Sequence, residues 1–258
     1  MKQSFSWWSF AGRGVGDEEL MAGAKAIGYD AVELLPPALL DLTVRHGLAI
    51  ASHNGHASIE SGLNDAANHD RIAREIEESV ALAVRYRIPN LIVFSGNRRP
   101  GLSDDEGAKI VADGVRRIVR IAENAGVTLV MELLNSRVDH KGYQCDRTDW
   151  LAGVIDEVGS PRFRALYDIY HMQVMEGDLI RTIDRHAPRI GHYHTAGNPG
   201  RHELTGERQE IAYPAVLRAI ASTGYDGFIG HELIPTGDPL AALRDAFEIC
   251  AAAALRIV

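Results

Sequence analysis

The stretch that decides the fold runs from Tyr167 to His202 and reads YDIYHMQVMEGD at residues 167–178 and RIGHYHTAGNPGRH at residues 189–202. It contains two short apolar runs, and polar side chains begin where each run ends. Asp168 closes the first run, and His194 closes the second. An α/β barrel keeps its chemistry at the carboxyl ends of its strands, so we expect a functional strand end at each place.

Two more acidic residues occupy the same kind of position. Glu132 closes the run VTLVME, and Glu232 closes FIGHE. Taken singly, a strand-end carboxylate is more often a solvated charge or a helix cap than a ligand. Three carboxylates and one imidazole, each ending a different strand, instead predict one divalent-metal site formed by Glu132, Asp168, His194 and Glu232. Such a donor set suits Mn²⁺, Mg²⁺, Co²⁺ or Zn²⁺.

Apolar runs alternate with helical patterns along all 258 residues. About eight strands, each followed by a helix, predict an α/β chain of the (β/α)₈ TIM barrel class, as a single domain over residues 1–258. A doubly wound open sheet also alternates, but it usually carries a Gly-rich turn after its first strand. The segment AGRGVG at residues 11–16 does not match G-x-G-x-x-G, so we interpret it as a flexible loop.

Three element predictions matter for the site. The run SFSWW at residues 4–8 is predicted to be the first strand, with at most one of Trp7 and Trp8 facing inward because strand side chains alternate. LAIASHN at residues 48–54 is predicted to be a third strand. The last helix is predicted from about Asp238 to Leu255.

The composition and net charge limit the classes of binding partner that we expect. A formal net charge of -8 argues against a nucleic-acid partner, because nonspecific binding to nucleic acid depends on clustered Lys and Arg. We expect a small-molecule substrate and leave a homo-oligomer open. Cys145 and Cys250 are the two cysteines of the chain, too few for a disulfide framework. The sequence has no apolar run long enough to predict a membrane span, and we expect no export signal. These features favour a cytoplasmic protein.

The predicted site suggests a chemistry. A metal that chelates a carbonyl and its neighbouring hydroxyl would acidify the adjacent C–H and stabilise an enediolate. A base must then move the proton. Glu132 and Glu232 are the candidate catalytic residues, one removing a proton and the other returning it.

Five further residues are candidates for substrate binding. Arg201 would clamp a carboxylate or vicinal oxygens, or form a surface ion pair. His171 would donate to a substrate oxygen, or be a satisfied loop histidine. Glu176 would orient one of these groups, or cap the next helix. His53, at the end of the third strand, and His202, next to Arg201, complete the set.

The motifs resemble the hydroxypyruvate isomerase family, within the xylose-isomerase-like barrel superfamily. The likeness covers essentially the whole chain and is densest at YDAVELL (29–35), VMELLN (130–135), EVGSP (157–161), YDIYHMQVMEGDL (167–179), PRIGH (188–192), AGNPGRHE (196–203) and GYDGFIGHE (224–232). The resemblance implies Glu132 and Glu232 as the proton-transfer pair, Asp168 as a metal ligand, and His171 and Arg201 as substrate contacts.

The chain also departs from this family. His194 stands in HTA where hydroxypyruvate isomerases commonly carry glutamine in QIA, and histidine there is the choice of ketose 3-epimerases. We therefore expect a metal-dependent isomerase of a small hydroxy-keto acid or sugar. The alternatives are a ketose 3-epimerase, or a decarboxylase or lyase of an oxo sugar acid that uses the same enediolate.

Two remote alternatives belong to other classes. A zinc nuclease like endonuclease IV would need a D-x-H pair after the seventh strand, where this chain reads NPGRHE (198–203). A noncatalytic sugar-binding barrel would bind ligand without exchanging hydrogen next to the carbonyl.

Overall fold

The computed structural model describes residues 1–254, which fall into two compact units. The first unit comprises Met1–Ala51, Asp178–Ala187 and the chain from Tyr193 onwards, and the second comprises Ser52–Gly177 and Pro188–His192. The single domain over residues 1–258 stays a prediction, and residues 255–258 lie outside the described part of the chain.

Strands and helices alternate along the described residues. The strands are β1 (Lys2–Ser6), β2 (Ala31–Glu33), β3 (Ala49–Ile50), β4 (Ser52–Asn54), β5 (Asn90–Val93), β6 (Thr128–Glu132), β7 (Phe163–Asp168), β8 (Ile190–Thr195) and β9 (Phe228–His231). The α-helices are α1 (Trp7–Phe10), α2 (Asp17–Ile27), α3 (Leu40–Arg45), α4 (His69–Tyr86), α5 (Asp104–Ala125), α6 (Thr148–Val158), α7 (Ile169–Met175), α8 (Leu179–His186), α9 (Tyr213–Ser222) and α10 (Pro239–Ala254).

The first unit is built on parallel strands in the order β3-β2-β1-β9-β8. Its core lies at these short strands, where residues 3–6 of β1 and all three residues of β2 are buried. Phe5 of β1 packs edge-on against Phe10 and Tyr29, with ring centroids 5.6 and 5.4 Å apart. Because the strands are parallel, their carboxyl ends lie at one edge, and Glu33, His194 and Glu232 occur at three of these ends.

The second unit is built on parallel strands in the order β4-β5-β6-β7. Helix α4 buries His69, Ile72, Ile76, Val80 and Ala83, which recur at the spacing of one helix face. Helix α5 begins with a capping box, in which Ser103 accepts from the Glu106 backbone and Glu106 accepts from the Ser103 backbone. The strands again share one carboxyl edge, where Glu132 and Asp168 end β6 and β7.

Two strand predictions were wrong in detail. β1 stops at Ser6, and Trp7–Phe10 form a helical turn, so the strand alternation expected for Trp7 and Trp8 does not apply. Both indoles donate to carboxylates instead: Trp7 Nε1 lies 2.8 Å from Asp17 Oδ1, and Trp8 Nε1 lies 2.9 Å from Glu232 Oε1. The two carboxylates lie 10 and 224 positions away from their indoles, so the periodicity of the sequence could not predict either hydrogen bond.

The predicted third strand is also interrupted. Residues 48–54 contain β3 and β4, separated by Ala51, and the two strands pair with different neighbours, β2 and β5. The described residues therefore contain nine strands where about eight were predicted. The last helix begins at Pro239, and its predicted end at Leu255 lies outside the described residues. Among the helices of residues 1–254, none has both the length and the apolar character needed to cross a membrane.

Candidate metal centre

His194 and Glu232 lie together at the carboxyl edge of the first unit. His194 pairs with Gly230 in the register of β8 and β9, and the backbone N–H of Glu232 donates to the Thr195 carbonyl at 2.9 Å. This places His194 Nδ1 3.3 Å from Glu232 Oε2. Both side chains are buried, at 0% and 3% exposure. An imidazole nitrogen and a carboxylate oxygen thus face each other away from solvent.

Glu33 approaches the other side of the His194 ring, and sequence reasoning missed it. Glu33 Oε2 lies 3.3 Å from His194 Nε2, and Glu33 Oε1 accepts from Ser4 Oγ at 2.7 Å. Gly230 makes this approach possible, because a Cβ there would sit 2.0 Å from Glu33 Oε1. The signal was available in YDAVELL, since Glu33 ends β2 much as Glu132 ends β6.

Glu232 also contacts two residues that carry N–H donors. Arg201 Nη2 donates to Glu232 Oε2, Trp8 Nε1 donates to Oε1, and the Arg201 guanidinium lies 5.4 Å from the centre of the Trp8 ring. Burial alone raises the pKa of the Glu232 carboxyl, but His194 and Arg201 outweigh burial and hold that pKa well below its ordinary value. Glu232 is therefore held as a carboxylate, the form in which a base or a ligand acts.

Glu132 and Asp168 lie at the carboxyl edge of the second unit. β6 and β7 are direct neighbours, and Glu132 pairs with Leu166, two residues before Asp168. Both carboxylates are buried, at 5% and 0% exposure. Asp168 also caps α7, because its Oδ1 accepts from the backbone N–H of His171 at 3.0 Å. His171 is fully buried, and its Nε2 lies 3.7 Å from Asp168 Oδ2.

The remaining candidates have different surroundings. Glu176 is engaged at the start of α6, where it accepts from the backbone N–H and the hydroxyl of Thr148 at 3.1 and 2.6 Å. His202 is exposed, and its Nδ1 lies 2.9 Å from the Ile234 carbonyl. His53 is half-buried on β4, and burial lowers its pKa. Substrate-binding roles for these three residues stay predictions.

All four predicted metal ligands are buried and carry a ligand atom to offer. Glu132 and Asp168 belong to the second unit, and His194 and Glu232 belong to the first. Buried carboxylates need a compensating positive charge, which a divalent ion supplies. Three carboxylates with one imidazole fit Mn²⁺, Co²⁺, Fe²⁺ or Zn²⁺ better than an all-oxygen cage for Ca²⁺. The chemistry of the donor set therefore fits a metal.

Comparison with known proteins decides the family. The profile of the xylose isomerase-like TIM barrel family matches residues 21–253. The chain belongs to this family. The predicted (β/α)₈ fold class is thereby confirmed.

Curated relatives of this xylose isomerase-like chain include hydroxypyruvate isomerases and 2-oxo-tetronate isomerases. It is 37% identical to the 2-oxo-tetronate isomerase of Cupriavidus necator over 241 residues, which cover 86% of this chain and 88% of that protein. It is 32% identical to the hydroxypyruvate isomerase of Escherichia coli K12 over 177 residues, 66% of each chain. The resemblance to the hydroxypyruvate isomerase family is confirmed.

Solved structures share the fold. A crystal structure of AP endonuclease, family 2, from Brucella melitensis has a TM-score of 0.83 at 23% identity and covers 94% of this chain and 97% of that one. The IOLI protein, crystallised with a zinc atom, has a TM-score of 0.76 at 17% identity. The match covers 99% of this chain and 97% of the IOLI chain. At these identities the two structures show the fold alone.

Proposed function

We propose that this protein is a divalent-metal-dependent isomerase of a small hydroxy-keto acid or sugar, acting through an enediolate. The observation that carries the proposal is the buried pair of His194 Nδ1 and Glu232 Oε2 at 3.3 Å, on a chain that is 37% identical to a 2-oxo-tetronate isomerase. Glu132 and Asp168 add two buried carboxylates on adjacent strands.

Glu132, Asp168, His194 and Glu232 would hold the ion. When bound, it would polarise a substrate carbonyl and make the neighbouring C–H more acidic. The IOLI protein, which has the same fold, was crystallised with a zinc atom, so a metal is compatible with this fold.

Glu232 and Glu132 are the residues that would move the proton. Glu232 is held ionised by its neighbours, so it can accept a proton from carbon, and Glu132 can return one to the adjacent carbon. Arg201, which donates to Glu232, would orient this carboxylate and bind an anionic or vicinally oxygenated end of the substrate. Burial of the carboxylates limits competition from water.

Hydrogen exchange tests the proton transfer. The metal-loaded protein is incubated in D₂O with a panel of small hydroxy-keto acids and ketoses, and deuterium uptake at the carbon next to the carbonyl is followed by NMR. Glu232→Gln and Glu132→Gln should each lower turnover by about 10²–10⁴-fold, which is the usual contribution of a general base. Glu78→Gln, at an exposed position of α4, is the matched control and should retain activity.

Metal occupancy must be measured in each variant, so that loss of a ligand is not read as loss of a base. If the two carboxylates act on different protons, one variant should still exchange substrate hydrogen without completing turnover. Full turnover by either fully metallated variant would contradict the two-carboxylate mechanism.

The substrate-clamp role of Arg201 has its own test. Arg201→Lys keeps the charge but loses the planar fork of donors, so kcat/KM on the true substrate should fall. Wild-type kcat/KM in this variant would exclude the role.

A ketose 3-epimerase is the second candidate, and His194 favours it. The His194 imidazole occupies the position where hydroxypyruvate isomerases commonly carry glutamine, and it contacts Glu232 directly. Product analysis separates the two reactions, because an isomerase moves the carbonyl whereas an epimerase inverts one hydroxyl-bearing carbon. A decarboxylase or lyase would release a smaller fragment.

A further inference from the structure

The His171 ring is held by a short chain of hydrogen bonds within the second unit. The backbone N–H of Asn135 donates to His171 Nδ1 at 3.1 Å, and the Asn135 side-chain Nδ2 lies 2.7 Å from the same ring nitrogen. Asn135 and His171 are both 0% exposed. Nδ1 therefore has its hydrogen-bonding environment set by Asn135.

The orientation of the Asn135 amide follows from its other partners. Its Oδ1 accepts from the backbone N–H groups of Val138 and Asp139, each at 3.0 Å. Its Nδ2 donates to Asp139 Oδ2 at 2.6 Å. A flipped amide would set its oxygen against the Asp139 carboxylate and its NH₂ against two backbone donors. The end of the amide that faces His171 is thus the NH₂ group.

We propose that Asn135 is a positioning residue that fixes His171 as the Nε2–H tautomer, so that His171 acts as a hydrogen-bond donor and not as a base. Two N–H groups face Nδ1, and a proton on Nδ1 would oppose both of them. With Nδ1 as the acceptor, the ring proton resides on Nε2.

The acidic neighbour of this ring is consistent with the assignment. Asp139 Oδ2 lies 4.0 Å from His171 Nδ1, beyond hydrogen-bonding distance, and it accepts from Asn135 Nδ2 and from Tyr170 OH at 2.8 Å. The Asn135 amide therefore links the carboxylate to the ring. The rings of His140 and Tyr170 contact the imidazole at centroid distances of 5.3 and 5.1 Å.

The consequence for catalysis rests on the proposed function. His171 Nε2 lies 3.7 Å from Oδ2 of Asp168, a proposed metal ligand, so its N–H lies beside the place where a substrate oxygen would bind next to Asp168. A donor at that place stabilises negative charge that develops on the oxygen. It cannot take a proton from carbon, which leaves proton abstraction to the carboxylates.

Nitrogen NMR of the substrate-free protein tests the tautomer directly. Long-range ¹H–¹⁵N correlation spectra of ¹⁵N-histidine-labelled protein distinguish an unprotonated ring nitrogen from an N–H nitrogen, and His171→Gln assigns the signals. We expect an unprotonated Nδ1 and a protonated Nε2 in the wild type. A protonated Nδ1 would overturn the proposal, whether or not the protein proves to be an isomerase.

Asn135→Asp tests the positioning role, because it replaces the NH₂ donor by an acceptor of the same shape. A protonated form of Nδ1 should become populated in this variant. Asn64→Asp is the matched control, since Asn64 is also buried in the second unit and donates to the Asn97 carbonyl and Gln144 Oε1, both at 2.8 Å. An unchanged His171 tautomer in folded Asn135→Asp would overturn the role of the side chain.

A kinetic comparison connects the tautomer with the reaction. Once a substrate is known from the exchange assay, Asn135→Asp should lower kcat by about 10²-fold with a smaller change in KM, as expected when a donor to developing charge is lost. Asn64→Asp should change neither value. Wild-type kcat in Asn135→Asp would contradict the catalytic consequence, and the NMR result would still decide the tautomer.

Discussion

His194 has a carboxylate on each side of its ring. Nδ1 faces Glu232 and Nε2 faces Glu33, each at 3.3 Å. A histidine that binds metal through one nitrogen commonly donates its other N–H to a carboxylate, which fixes the tautomer and the ring orientation. Glu33 is placed to do this for a metal bound at Nδ1.

Replacing Glu33 should therefore weaken metal binding. Glu33→Gln keeps the acceptor for Ser4 Oγ but removes the carboxylate charge from the His194 ring. We expect the Kd for Mn²⁺, measured by titration calorimetry, to rise about 10–100-fold. Glu78→Gln should leave it unchanged. Wild-type affinity in Glu33→Gln would contradict this role of Glu33 in metal binding.

His56 should make stability depend on pH. The side chain is 3% exposed, its Nε2 accepts from the Phe94 backbone N–H at 2.9 Å, and burial lowers its pKa to about 4. In the unfolded chain a histidine has a pKa of about 6.5. The stabilisation is therefore complete above about pH 6.5 and is lost as the pH falls towards 4, by about 3 kcal/mol in all.

His56→Gln should reduce this dependence, because a glutamine oxygen can accept from Phe94 and does not titrate. Urea unfolding of metal-free protein between pH 4 and pH 7, a range of about 3 units around the two pKa values, measures the effect. The free energy of unfolding of the wild type should fall by about 3 kcal/mol relative to that of the variant as the pH falls from about 7 towards 4. Parallel curves would contradict the prediction.

Two helices of the second unit contain glycines with opposite surroundings. In α6, a Cβ added at Gly153 would meet nothing within 4 Å. In α5, a Cβ at Gly114 would lie 2.6 Å from His69 Nε2 and 2.9 Å from Leu63 Cδ2. His69 cannot move away freely, because Nε2 is 2.9 Å from the Leu63 carbonyl.

The same substitution should thus have opposite effects in these helices. Gly153→Ala should raise the free energy of unfolding by about 0.5–1 kcal/mol, because alanine loses less backbone entropy in a helix. Gly114→Ala should lower the free energy of unfolding by about 1–3 kcal/mol. The steric cost of the added methyl group there exceeds the entropic gain from alanine. Urea unfolding measures both, and shifts of the same sign would contradict the packing described for α5.

The whole chain has a formal net charge of -8. The negative charges behind this value include the buried carboxylates of the proposed metal ligands, which occur in both units. A divalent ion that binds only the folded chain stabilises it by mass action. At an Mn²⁺ concentration of 100 times Kd the gain is about 2.7 kcal/mol, or a rise in Tm of about 5–10 °C for a chain of this length.

Calorimetry with and without EDTA measures this shift. Asp168→Asn should largely abolish it, and Glu78→Gln should retain it. A shift of equal size in Asp168→Asn and the wild type would place the stabilising ion elsewhere.

The sequence by itself determined the family fold and the strand ends that carry Glu132, Asp168, His194 and Glu232. It could do so because apolar runs and the polar residues that close them are local patterns. Only the tertiary structure decided the partners of these residues. Glu33 meets His194 across 161 positions and Trp8 meets Glu232 across 224, and both contacts depend on strand register and a turn into α1. Asn135 likewise acquires its role from a ring 36 positions away, because hydrogen-bond direction is set by packed side chains and not by spacing along the chain.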